Sequence, residues 1–270
     1  MMKISVLATS SAGNSTFVSS DGTRLLIDAG LSVADTRARL KAIGEDLDEI
    51  SAVLVTHPHL DHAGGLANLV RHWRRAGRLV PVYCTWRTYD ALKKGISPHW
   101  YRNVAQFDTF EVGAFHCETF TVKHDCGDPL GFTVADREGN RATFALDLGE
   151  IDSHLGEYLA MADFLLLESN HDPDMLAAGP YAYTLKQRIS KFHLSNSAAC
   201  QWITDHMSSR THNLYLGHLS TTTNDPNIVR LMADQAIAAR VFDQPPVVTV
   251  ILPGEGPSPP LLVGQDQDTR

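Results

Sequence analysis

Four potential metal ligands stand within six residues at His57-Pro58-His59-Leu60-Asp61-His62, directly after the apolar run Ala52-Val-Leu-Val-Thr56. Imidazole nitrogens and carboxylate oxygens both bind zinc, at roughly 2.0 to 2.2 Å. On a loop leaving a strand, alternate residues point to one side. His57 and His59 can therefore converge on one ion while Asp61 and His62 meet a second. Gly64-Gly65 just beyond lets the backbone turn tightly into the next helix. A histidine-rich surface loop is the bland alternative, and it is disfavoured because more polar residues end hydrophobic runs elsewhere. Asp28 ends Arg24-Leu-Leu-Ile27, His124 follows a run ending at Val122-Lys123, Asp147 follows Ala142-Thr-Phe-Ala-Leu146, and His218 follows Asn213-Leu-Tyr-Leu-Gly217. If each run is a strand, these side chains gather at one edge of the sheets. Two dications held there would acidify a water and hold the charge that develops as it attacks.

The elements that must position these residues are legible as short β-rich runs at 3–7, 16–19, 24–28, 52–56, 81–84, 115–122, 131–135 and 142–147, each bounded by Gly, Pro, Asp or Asn. Later strands are expected at 163–167, 213–216 and 247–252. Helices alternate with them. Ser32 followed by Asp35 forms a loose capping box ahead of a helix that Gly44 ends, and 85–94 is closed by Gly95. Further helices are expected at 66–76, 195–207 and 227–238. Such a pattern calls for two packed sheets flanked by helices, in one domain over 1–263. The stretch 244–270 holds six of the thirteen prolines, and a frayed tail is expected over 264–270.

Composition narrows the classes. Hydrophobic residues make up 43%, enough for a sizeable core without staples, so any metal serves chemistry more than folding. Cys84, Cys117, Cys126 and Cys200 show no C-x-x-C pair, which predicts free thiols in a reducing compartment. No apolar run approaches the roughly 20 residues of a membrane span, and the protein is expected to be cytoplasmic. A formal charge of −8 argues against gripping long duplexes by bulk electrostatics. It leaves room for a nuclease, since two bound dications dominate their local field. Arg71, Arg74, Arg75 and Arg78 share one helix face, which is read as solvated in preference to a phosphate-binding stripe.

These residues, in this order, resemble the sequence motifs of the metallo-β-lactamase superfamily, and within it the YycJ-like (WalJ) branch of DNA-exonuclease type. Leu7-Ala-Thr-Ser-Ser-Ala-Gly-Asn-Ser15, Leu26-Ile-Asp-Ala-Gly-Leu-Ser32, His124-Asp125 with Asp128-Pro129-Leu130-Gly131-Phe132, Leu167-Glu-Ser-Asn-His-Asp172, His193-Leu-Ser-Asn196 and Leu216-Gly-His-Leu-Ser220 carry the closer likeness. The chain departs from it at Thr9, where a glycine is expected, and at Lys191-Phe192, where a His-Gly pair is usual. The resemblance implies an αββα sandwich. It implies one metal on His57, His59 and His124, a second on Asp61, His62 and His218, and Asp147 bridging, with zinc the expected ion and manganese the alternative. Asp28 would orient a ligand histidine from behind.

Glu168 ends the apolar run Phe164-Leu-Leu-Leu167, and His193 is expected at the start of a helix. The pair resembles that of phosphodiesterases of this fold, in which an acidic residue orients a histidine that protonates the leaving oxygen. Asn170, His171 and Asn196 accompany the pair as candidate contacts to a phosphate or carboxylate. The expected function is two-metal hydrolysis of a phosphodiester, 5′–3′ exonuclease-like on single-stranded DNA ends, with Asp61, His193 and Glu168 carrying catalysis. The alternative is hydrolysis of a carbonyl substrate such as a β-lactam, lactone or thioester, which does not obviously need the Glu168–His193 pair. Redox relatives usually carry a carboxylate in place of His59, so His59 argues against iron chemistry.

Overall fold

The computed structural model describes residues 1–264, so all but the first residue of the tail expected at 264–270 lies outside the described residues. Among the described residues the strands form two seven-stranded sheets. The first contains β1 (Met2–Ala8), β2 (Ser15–Ser20), β3 (Thr23–Ile27), β4 (Ala52–Leu54), β5 (Val82–Cys84) and β6 (Tyr101–Asn103). The second contains β7 (Thr109–Val112), β8 (Phe115–Thr121), β9 (Leu130–Ala135), β10 (Arg141–Ala145), β11 (Phe164–Glu168), β12 (Asn213–Gly217) and β13 (Val247–Val250). The last strand, β14 (Leu261–Val263), returns to the first sheet and pairs antiparallel with β1. The helices are α1 (Val33–Ala42), α2 (Leu60–Ala63), α3 (Leu66–Arg75), α4 (Trp86–Leu92), α5 (Ser153–Ala160), α6 (Pro173–Ala178), α7 (Tyr183–Phe192), α8 (Asn196–His206) and α9 (Pro226–Ala238).

The sheets stack face to face because their strands are apolar on both sides. Side chains alternate along a strand, so Phe164 and Leu166 of β11 point between the sheets while Leu165 and Leu167 point outward under helices. Between the sheets, Ile4, Val18, Leu25 and Leu54 meet Phe115, Phe132, Phe144 and Phe164. Outside the first sheet, Phe17, Leu26 and Val53 pack on Leu40 of α1 and on Leu69 and Trp73 of α3. Outside the second, Leu165, Leu214 and Leu216 are covered by Leu155 of α5, Trp202 and Ile203 of α8 and Val229 of α9. The result is the αββα sandwich that the resemblance implied.

Local signals behave as their chemistry dictates. Ser32 caps α1 by accepting a hydrogen bond from the Asp35 amide, and Thr85 caps α4 in the same way through Thr88. The four cysteines are unpaired. Among the described residues no helix is long and apolar enough to cross a membrane. One expectation fails: His193 does not start a helix but closes α7 at its C-terminal cap, with extended backbone at φ −131°. The helix that follows begins only after Ser195, whose hydroxyl accepts from the Ala198 amide.

Parallel pairing runs through β3, β4, β5 and β6 in one sheet and through β10, β11, β12 and β13 in the other. Residues just past the C-terminal ends of parallel strands share an edge, where open α/β sheets bind their ligands. Within the second sheet, Gly131 of β9 lies opposite Phe120 of β8, and a Cβ there would stand 2.0 Å from the buried ring. Gly131→Ala should therefore overpack this layer and destabilise the protein by about 1–3 kcal/mol. The measurement is a urea midpoint, lowered at constant slope. An unchanged midpoint would mean that the ring moves aside freely.

Candidate metal centre

Three site residues leave their strands through left-handed backbone. Asp28 follows β3 at φ 63°, Asp147 lies two residues past β10 at φ 53°, and His218 follows β12 at φ 56°. Non-glycine residues rarely adopt this region, and such strain concentrates at functional sites. Each turn folds the side chain back over the shared edge. Thr9, at the end of β1, supports the last of them: its hydroxyl accepts from the His218 amide at 2.9 Å. The departure at Thr9 thus places a buried hydrogen-bond acceptor where a glycine would have none.

The loop from β4 into α2 is fixed from below. Asp28 accepts from the Thr56 amide at 2.9 Å, and its second oxygen holds His62 Nδ1 at 2.7 Å, leaving His62 Nε2 to face the site. Gly30 is required beside it, because a Cβ there would fall 1.8 Å from the Asp61 carbonyl, which instead accepts from the Asn14 amide at 2.6 Å. His124 is oriented the same way, with Nδ1 donating to the Phe192 carbonyl at 3.1 Å.

The free nitrogens converge. His59 Nδ1 lies 3.1 Å from both His57 Nε2 and His124 Nε2. Asp147 Oδ2 stands 3.2 Å from His57 Nε2 and 3.0 Å from His62 Nε2. His218 Nε2 and Asp61 Oδ2 are 3.4 Å apart. Two overlapping groups draw on the histidine-rich loop, His57, His59, His124 and Asp147, and Asp61, His62, Asp147 and His218, and a third, Asp147, Glu168, His193 and His218, adjoins them, each with ligand atoms within 4.8 Å of one another. Donors about 2.0–2.1 Å from a tetrahedral ion stand roughly 3.3–3.4 Å apart, close to these separations. Hydrogen bonds alone do not explain three imidazole nitrogens aimed at one point, since one proton serves at most one pair. The buried Asp147 Oδ1 also has no hydrogen-bond partner of good geometry. The donor set fits divalent metal ions.

Electrostatics agree with that fit. Burial, followed by the neighbouring His62, pushes His57 down to about 4, and burial lowers His124 as well, which favours the neutral form that can bind a metal. For His62 burial pulls downward too, but the Asp28 and Asp147 carboxylates outweigh it and hold the ring up at about 10. His218 is likewise raised well above its ordinary value, against burial, by Asp147, Asp61 and Glu168. A dication among these carboxylates takes the place of those protons.

Beside the cluster, Glu168 is wholly buried and serves two histidines: Oε1 meets His193 Nδ1 at 2.8 Å and His218 Nδ1 at 2.9 Å. Its other oxygen accepts from the Leu148 and Leu194 amides. Burial opposes its ionisation, yet His193 and His218 hold it down to about 2. Burial lowers His193, but Glu168 and Asp147 more than reverse this and raise it to about 9. Held by Glu168 through Nδ1, His193 lines a cavity of about 270 Å³ that Asp61, His124, Asp147 and His218 also line.

Of the candidate contacts, Asn170 borders this cavity and donates to the His218 carbonyl at 2.9 Å. His171 is buried at the edge of a neighbouring groove. Asn196 requires correction: it is fully buried, with its amide engaged by Ser169 and Asn224, so it braces the scaffold instead of touching substrate. Sequence reasoning missed Arg188 of α7, which borders the cavity and ion-pairs with Asp125, the neighbour of His124. No local motif marks it. The arginine stripe is shorter than expected: Arg71, Arg74 and Arg75 lie on α3, whereas Arg78 follows its end, is half-buried and reaches the Ile50 carbonyl.

Two ligand groups sharing one carboxylate should bind close to two metals per chain. Asp61→Ala and His218→Ala, both in the second group, should lose mainly one of them. Elemental analysis after equilibration with excess zinc or manganese checks this, and a wild-type ratio of one would count against it.

Residues 23–218 match the family described as the beta-lactamase superfamily domain. Exodeoxyribonuclease YycJ of Bacillus anthracis is 31% identical over 248 residues, covering 89% of this chain and 91% of that protein. Exodeoxyribonuclease WalJ of Streptococcus pneumoniae serotype 2 is 30% identical over 235 residues, covering 82% and 83%. Zinc-bound PqqB of Methylobacterium extorquens superposes with a TM-score of 0.72 at 20% identity, over 97% of this chain and all of that one. The metallo-β-lactamase fold protein YhfI of Bacillus subtilis gives 0.70 at 17%, over 96% and 99%. A shared fold, a matching family profile and two relatives similar over most of their length lead to one conclusion: the chain belongs to the metallo-β-lactamase superfamily.

Proposed function

We propose that the protein is a dinuclear metal-dependent phosphodiesterase that removes nucleotides from single-stranded DNA ends, with 5′–3′ polarity. The observation that carries this reading is His193, held by Glu168 through Nδ1 and lining the same cavity as the ligand cluster. Ring-opening of a lactam does not need such a donor, which ranks the carbonyl substrates second. Support comes also from the two relatives named exodeoxyribonucleases.

In this reading His57, His59, His124 and Asp147 hold one ion, and Asp61, His62, His218 and the shared Asp147 hold the other. Zinc suits a donor set rich in imidazole, and manganese is the alternative. When bound, the ions acidify water and stabilise charge on the phosphoryl oxygens. Asp28 fixes the tautomer of His62, and Thr9 and Asn170 fix the backbone of His218. An oxygen from water bonds to phosphorus, the bond to the leaving oxygen breaks, and that oxygen takes the proton of His193. The proton lost by the water returns to solvent or to His193. Residues 1–263 are taken as one catalytic domain, and the four free thiols favour the reducing cytoplasm as its compartment.

The reading is tested by comparing rates of the metal-loaded protein on 5′-labelled single-stranded DNA, an activated aryl phosphodiester, a chromogenic β-lactam and a glutathione thioester. Turnover of only the last two would overturn it. General acids typically contribute about 10² to 10⁴ in rate, and a nitrophenolate leaving group needs none. His193→Ala should therefore slow DNA cleavage by something in that range and affect the aryl ester far less, with metal content retained. Equal losses on both substrates would make His193 a structural residue. Glu168→Gln should reduce both activities, because the same oxygen also orients His218.

A further inference from the structure

His193 borders two cavities. One is the metal-facing cavity of about 270 Å³, and the other is a groove of about 830 Å³ on the far side of α7. Helix α7 is the wall between them and has no fully buried residue. It gives Leu185 and Arg188 to the metal-facing side and Tyr183, Lys186, Gln187 and Lys191 to the groove. In a chain with formal charge −8, no Asp or Glu among the described residues lines the groove. Lys186 Nζ reaches only the Ala177 carbonyl, and the Lys191 ammonium lies 5.0 Å above the Phe192 ring. Tyr183 is 72% exposed, and its hydroxyl is held by Gln187 at 2.8 Å, which fixes the ring with its face open to solvent.

We propose that this groove holds single-stranded DNA on its way to the metal cluster. Unpaired bases stack on Tyr183, and the phosphates between them lie beside Lys186 and Lys191. The proposal rests on the phosphodiesterase reading and extends it. A phosphodiester at the metal cluster must set its leaving oxygen against His193. A strand that passes His193 therefore continues from the metal-facing cavity into the other cavity that His193 borders.

The experiment measures binding of a phosphorothioate oligo(dT), which resists cleavage, across a range of salt concentrations, together with KM and kcat on DNA and on the aryl phosphodiester. For single strands the slope of log affinity against log salt falls by about 0.7 for each phosphate that is no longer neutralised. Lys186→Ala with Lys191→Ala should lower the slope by about twice that, and Tyr183→Ala should weaken binding roughly tenfold, while Tyr183→Phe retains it. The penalty should appear in KM for DNA and exceed any loss on the aryl ester. Arg71→Ala with Arg74→Ala and Arg75→Ala removes more charge from another face and serves as the comparison. Circular dichroism and metal content establish that each variant is folded. If the arginine variant lowers the slope and the lysine variant does not, or if the groove variants lose equally on both substrates, the strand runs elsewhere. A wild-type protein that turns over only the thioester or β-lactam overturns the underlying phosphodiesterase reading instead.

Discussion

One buried carboxylate, Asp147, holds the site together. It is 2% exposed, and its oxygens lie 3.0 to 3.6 Å from His57, His62, His124, His193 and His218. Burying an isolated charge is prohibitive, and a buried charge persists only when paired. Five imidazoles around a single acid are the pairing found here, and the left-handed backbone at Asp147 is what turns that acid inward. Much of the sandwich follows from this arrangement. His57 comes from the end of one sheet, His124 and His218 from the other, and only two sheets stacked edge over edge bring them to one carboxylate.

Some of this is legible from the chain. The histidine-rich loop is local, so its meaning survives without knowledge of tertiary contacts. Asp28, Asp147 and His218 can be read because each follows a mostly apolar run about as long as a strand crossing this sandwich. What escapes lacks such a pattern. Helix α7 carries Leu185, Ile189 and Phe192 at helical spacing but has no fully buried residue, and neither it nor Arg188 is expected from the sequence, which puts His193 at the wrong end of a helix. Strand β6 is three polar or aromatic residues, and β14 is three residues that follow a proline-rich stretch, too short to stand out as a strand. Asn196 shows a further limit, because a polar residue beside a candidate histidine in sequence can face the core, and only packing reveals it.

The two departures from the family pattern acquire physical roles. Thr9 supplies an acceptor to the strained His218 backbone. At the other, the Phe192 carbonyl fixes His124 while Lys191 turns outward, so one dipeptide serves both faces of α7. Gly149 allows this close approach, since a Cβ there would lie 1.9 Å from the Lys191 carbonyl.

The pairing of β14 with β1 bears on how the molecule is made. Met2 lies opposite Val263, and Ser5 and Val6 bond to Ser258, contacts spanning more than 250 positions in the chain. During synthesis the outer edge of β1 stays open until β14 has left the ribosome, and an unpaired strand edge is a template for pairing with other molecules. Closure of so long a loop comes late and slowly. Strand β1 is thus completed only after about 250 further residues have been made, and a nascent chain stalled before residue 261 would expose an adhesive edge.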